Sequence, residues 1–114
     1  MRKLFVSALV LLPLAAQTPD WSKINDEALR HFQALVQIDS SDPPGNETKV
    51  AEYVKKTLEA DGIPVMMVAK DPARANIIAR LKGNGSKRPL LIMGHSDVVR
   101  VDPTKWTFPP FSAT

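Results

Sequence analysis

The chain contains no cysteine. That excludes disulfide bridges and thiolate metal sites together. It also lacks an excess of charge of either sign, with 15 Lys and Arg against 12 Asp and Glu. Two of the basic residues, Arg2 and Lys3, lie in a segment expected to be removed. Without them the balance is 13 to 12, a net charge of +1. Neither nucleic acid nor an anionic membrane would be drawn to such a surface. No apolar run reaches the ~20 residues needed to span a bilayer. There is no internal repeat and no low-complexity tract. Histidine is scarce, with only His31 and His95. The length of 114 residues admits at most one small domain.

The N-terminus reads MRKLFVSALVLLPLAA, residues 1–16. A basic start, an apolar stretch from Leu4 to Leu14 and small residues at Ala15 and Ala16 follow the layout of a secretory signal peptide. Cleavage there would leave Gln17 first. Without cysteine the segment cannot be a lipoprotein anchor. The mature chain, residues 17–114, is therefore expected to be secreted or periplasmic, with no membrane attachment after signal removal.

Ile24, Ala28, Leu29, Phe32, Leu35 and Val36 recur at helical spacing. They predict a helix capped by Ser22 or Asn25 and ending near Ile38. DSSDPPGNE, residues 39–47, interrupts regular structure at Pro43-Pro44-Gly45. Asn46 can cap a second helix, with Glu47 in its first turn and Val50, Val54, Thr57 and Leu58 along its apolar stripe. Asp61-Gly62-Ile63 is a stop signal, with glycine placed for the left-handed conformation. Three strands are then expected, at residues 65–69, 75–81 and 89–93. The order is helix, helix, strand, strand, strand, which places the chain in the α/β class with helices over a mixed sheet. So few elements cannot cover both faces of such a sheet, so the chain is expected to be the N-terminal portion of a longer protein.

The chemistry concentrates in LLIMGHSDVV, residues 90–99. An apolar run ends at Gly94, and His95, Ser96 and Asp97 follow. Ionisable groups at the tip of a buried strand need partners. A serine nucleophile is disfavoured, because the G-x-S-x-G elbow needs glycine where Val98 stands and a helix directly after the serine. A metal site fits better. Neutral imidazole is a common zinc ligand, and its second nitrogen usually donates to a carboxylate that orients the ring. In extended chain, residues two apart point the same way, so Asp97 can serve His95. Sites in α/β sheets also lie beyond the carboxyl ends of strands. On spacing alone, a His-Asp pair that merely ends a strand remains the commoner case.

The wider run changes that balance. PLLIMGHSDVVRVDPTKWTFPPFSA, residues 89–113, resembles the zinc-dependent aminoacylase/carboxypeptidase/desuccinylase metallopeptidases (peptidase family M twenty). The shared pattern is an apolar strand, G-H-x-D-V-V, a VDP segment, then K-W and P-F-S. DPPGNE, residues 42–47, resembles the same family's turn before its second helix. The resemblance covers essentially the whole mature chain. It implies an α/β catalytic domain, here incomplete, whose inserted dimerisation domain is absent from this chain. His95 matches a ligand of one ion in a two-zinc centre, and Asp97 matches the catalytic-site aspartate that orients it. The implied reaction is hydrolysis of a peptide or N-acyl amide bond in a small peptide or N-acyl amino acid. Zinc-activated water and a glutamate general base carry it out. A homodimer is implied for the complete protein.

Two departures stand out. Arg100 occupies a position where the family usually has proline. The family's bridging aspartate, glutamate pair, further carboxylate ligand and distal histidine lie downstream of this motif and are not in the chain. One recognised ligand falls short of the three or four protein ligands a zinc site takes. The 114-residue piece alone is therefore expected to be inactive, and the alternative is a secreted non-catalytic remnant or binding module.

Other features have plainer readings. His31 is expected at the edge of the first helix's apolar face rather than as a ligand. Trp106, Phe108 and Phe111 are read as satellite core under a loop in preference to a substrate mouth. Asp39, Asp42 and Glu47 lack the spacing of a calcium loop and suit capping and turn roles. Asn46-Glu47-Thr48 and Asn84-Gly85-Ser86 are glycosylation sequons, relevant only in a eukaryotic secretory route. Lys82, Lys87 and Arg88 are solvated charge.

Overall fold

The computed structural model describes residues 18–114. The segment expected to be a signal peptide, residues 1–16, lies outside the described residues. Helix α1 (Trp21–Val36) is followed by β1 (Ser41–Asp42), helix α2 (Glu47–Ala60), β2 (Val65–Val68), β3 (Asn76–Ala79), β4 (Val98–Val99) and a short 3-10 turn (Pro103–Lys105). β1 and β4 pair in parallel, and β2 and β3 pair antiparallel. The architecture is α/β, with two helices and a small set of mixed strand pairs. Among the described residues, no helix is long and apolar enough to cross a membrane.

Helix α1 starts earlier than its apolar pattern predicts. Asp20, not Ser22 or Asn25, is the N-cap, and its carboxylate accepts the Lys23 N–H at 3.3 Å. A carboxylate there meets both the orphan N–H groups and the positive end of the helix dipole. The helix ends at Val36, two residues short of Ile38, where the Gln37 N–H donates to the Gln33 carbonyl at 3.1 Å. No residue of α1 is buried. Its stripe at Ile24, Leu29 and Phe32 is exposed. An amphipathic helix buries its apolar face only where a partner surface is present. Contact with α2 runs through His31 and Tyr53, whose Nδ1 and hydroxyl share a 2.7 Å hydrogen bond. His31 is half-buried, with Nε2 3.5 Å from Glu27, a boundary position as expected.

Helix α2 begins after Asn46 as predicted, although the Asn46 side chain makes no capping bond. Its first turn is tied down from outside instead. The Thr48 N–H donates to the Ala73 carbonyl at 3.0 Å, and the Thr48 hydroxyl donates to the Pro72 carbonyl at 2.6 Å. The same hydroxyl accepts the Ala75 N–H at 2.9 Å. At the other end Gly62 takes φ +75°, and the bonds from Gly62 N–H to Glu59 and from Ile63 N–H to Leu58 close a Schellman motif. The β2–β3 ribbon lies against α2. Its register pairs Met67 with Ile77, the half-buried couple, while Met66 and Ile78 form the exposed couple on the opposite face.

The third expected strand is not formed. Residues 89–93 carry no ladder, and Leu90, Leu91, Ile92 and Met93 are 78–85% exposed. A strand is held by its neighbours' hydrogen bonds, and this run has none among the described residues. The aromatic expectation is corrected too. Trp106 and Phe108 are exposed, and with Phe111 they line an open cleft of about 600 Å³.

Buried residues gather in one place. Ala51 and Ala75 are the buried apolar residues, and Ser40 and Glu47 are buried polar ones. Close packing is thus found at a partly polar junction, where β1, the start of α2 and the start of β3 meet.

Candidate functional site

The His95-Ser96-Asp97 segment is carried on that junction. β4 pairs with β1 through Ser41↔Val98 and Asp42↔Val99, and the Val98 N–H donates to the Ser40 carbonyl at 3.2 Å. The Ser40 hydroxyl donates to the Ser96 carbonyl at 2.7 Å. Arg100 Nε donates to the Pro43 carbonyl at 2.8 Å. Three contacts from the segment before α2 therefore fix the backbone that presents His95 and Asp97.

His95 Nδ1 lies 3.0 Å from Asp97 Oδ1 and 3.0 Å from the Asp97 carbonyl oxygen. Both oxygens only accept, so Nδ1 carries the proton and donates. In the neutral ring Nε2 then holds the lone pair. The His95 side chain is 84% exposed, so that nitrogen is accessible. The structure brings together the two residues that the sequence singles out. It does not bring in His31, which is engaged by Tyr53 and Glu27.

His95 and Asp97 line a cleft of about 490 Å³, with Glu47, Arg74, Asn76 and Val54 among its other walls. Arg74 is the pivot behind it. Its Nε donates to Glu47 Oε1 at 3.0 Å, and its NH2 group contacts Glu47 Oε1 at 2.5 Å and Asp42 Oδ2 at 3.1 Å. The Arg74 guanidinium holds the Glu47 carboxyl below the usual carboxylate range, against the smaller opposing effects of burial and of the Asp97 charge. Glu47 in turn raises the Arg74 pKa. Hydrogen bonds from the Ser41 hydroxyl and N–H lower the Asp39 pKa, and those from Thr104 lower that of Asp102. Glycine is required at Gly45. Its φ is +85°, and a Cβ there would sit 2.8 Å from Glu47 Oε2 and 3.0 Å from Arg74 Nε.

Sequence reasoning did not identify Ser40 or Arg74 as parts of this site. It assigned Glu47 to a helix terminus and marked Arg100 only as a departure from the family's usual proline. None of their contacts leaves a local pattern. Ser40 and Ser96 are 56 residues apart, and Arg74 and Glu47 are 27 apart.

The donor set suits a metal ligand: an accessible imidazole nitrogen with a carboxylate on the opposite ring nitrogen. Among the described residues, no group of three or more His, Cys, Asp or Glu side chains is placed to hold an ion. Among the described residues, His95 Nε2 is a single candidate ligand, not a closed site.

No family model matches the chain, and no solved structure matches it. Curated relatives do. The chain is 38% identical over 96 residues to an N-formyl-4-amino-5-aminomethyl-2-methylpyrimidine deformylase of Halalkalibacterium halodurans, covering 81% of this chain and 22% of that protein. It is 37% identical over 90 residues to a probable succinyl-diaminopimelate desuccinylase of Staphylococcus epidermidis, covering 77% and 21%. It is 37% identical over 93 residues to an acetylornithine deacetylase of Vibrio atlanticus, covering 75% and 24%. The chain thus spans 21–24% of the length of these relatives. Deformylase, desuccinylase and deacetylase are hydrolases of one kind, and the chain belongs to their family, the aminoacylase/carboxypeptidase/desuccinylase amidohydrolases.

Proposed function

We propose that the full-length protein is an exported, zinc-dependent hydrolase that removes an acyl group from the nitrogen of a small substrate. The observation that carries this reading is the His95 ring, held through Nδ1 by Asp97 with Nε2 turned to lone-pair duty. The relatives favour N-acyl amides over internal peptide bonds, since their names specify formyl, succinyl and acetyl removal. The basic-then-apolar start of residues 1–16 supports export.

In this reading His95 Nε2 supplies one zinc ligand. A bound zinc pair supplies polarisation of the scissile carbonyl and a lowered pKa for the attacking water. Asp97 is a positioning residue: it keeps the proton on Nδ1 and the ring in one orientation, so Nε2 stays available. β1 and Ser40 hold the backbone of that pair. Arg74 binds Glu47 and Asp42 and keeps the DPPG turn closed behind the cleft. The remaining ligands and the general base are not among the described residues.

The test is hydrolysis of N-formyl, N-acetyl and N-succinyl amine substrates by the full-length protein, with and without a chelator. Hydrolysis of at least one, lost on chelation and restored by zinc, is expected. No hydrolysis of any, with zinc present, would favour the non-catalytic binding module instead.

A further inference from the structure

Ser40 is the tightest-packed polar residue of the junction, at 3% exposure more deeply buried than Ala51 or Ala75. Burying a hydroxyl without a partner is costly, so its one side-chain bond identifies what it serves. That bond goes to the Ser96 carbonyl at 2.7 Å. The Ser40 carbonyl, meanwhile, accepts the Val98 N–H at 3.2 Å. One residue therefore grips the chain on both sides of Asp97. The peptide it holds by the side chain is the one that follows His95 and precedes Asp97. The His95–Asp97 bond closes over only two residues, so a rotation of the Ser96 peptide would separate ring and carboxylate. Alanine would fill the same small space, but it would leave the Ser96 carbonyl without this donor.

We propose that Ser40 is a positioning residue for the His95–Asp97 pair, fixing the Ser96 peptide so that the imidazole stays in its Nδ1–H form. The effect on turnover rests on the zinc-hydrolase reading, whereas the effect on the ring does not.

The test uses the full-length protein carrying Ser40→Ala, and separately Ser40→Cys. Cysteine is close to serine in size and only a weak donor, so it covers the case in which the alanine variant does not fold. The ring nitrogens of His95 are read by nitrogen-detected NMR in metal-free protein at a pH where the ring is neutral. Wild type should show the Nδ1–H form. Folded variants should show the Nε2–H form mixed in. With an N-acyl substrate and zinc, kcat should fall on the order of tenfold with KM little changed, the pattern of a lost orienting contact. A folded variant that keeps wild-type ring signals would overturn the proposal, whatever its melting temperature. If wild type hydrolyses no amide, the hydrolase reading fails and the ring signals alone decide the role of Ser40.

Discussion

His95 Nδ1 stands 3.0 Å from Asp97 Oδ1, and the bond joins residues only two apart in the chain. Such a pairing sets the tautomer and the plane of the ring, on a backbone that β1 and Ser40 hold. Its consequence is a division of labour in which one ring nitrogen is used within the protein and the other faces outward.

Asp97→Ala should therefore weaken zinc binding or turnover by ~10–100-fold, as loss of a carboxylate behind a ligating histidine does. Zinc titration and steady-state kinetics on the full-length variant read this directly. Wild-type values in both would remove the orienting role.

Gly45 and Gly62 make a matched pair. Both have positive φ, at +85° and +75°, but a Cβ at Gly62 would meet nothing within 4 Å. Gly62→Ala should lose about 1–2 kcal/mol, the cost of placing an L residue in the left-handed region. Gly45→Ala should lose more, because the added methyl also pushes on Glu47 and Arg74. Urea unfolding of the two variants gives the comparison, and equal losses would mean the contact around Gly45 yields without cost.

The Glu47–Arg74 pair predicts an acid-sensitive contribution to stability. Arg74 depresses the Glu47 pKa in the folded protein, and unfolding returns it towards its ordinary value of 4.5. The folded state thus gains stability from this group above pH 4.5, and loses it as pH falls through the lower folded value. Glu47→Gln abolishes the titration. The stability gap between wild type and Glu47→Gln should be widest near neutrality and narrow below pH 4.5. Asp39 and Asp102 are unchanged by the substitution and drop out of the difference. A gap that does not vary with pH would show that the ionised pair is not what stabilises the turn.

Much of this site was legible where the determinants are local. The i, i+2 spacing of His95 and Asp97 placed them together, and Asp61-Gly62-Ile63 marked the end of α2. The start of α1 was misplaced because serine, asparagine and aspartate are near-equal caps, and Asp20 had the advantage of charge at the dipole's positive end. The apolar residues at 89–93 suggest a strand, but a strand also needs a ladder partner, which no local pattern specifies. Ser40 and Arg74 escaped notice, and Arg100 drew notice only as a departure from proline, for the related reason that their partners are far away in sequence. Trp106 and Phe108 show that apolar character alone does not ensure burial.

The central claim is that His95 Nε2 is a zinc ligand of an amide hydrolase. It is tested most directly by His95→Ala in the full-length protein, with bound zinc and hydrolysis of an N-acyl amine measured on the same sample. Less zinc per molecule together with abolished hydrolysis is predicted. Full activity at unchanged zinc content would contradict the assignment.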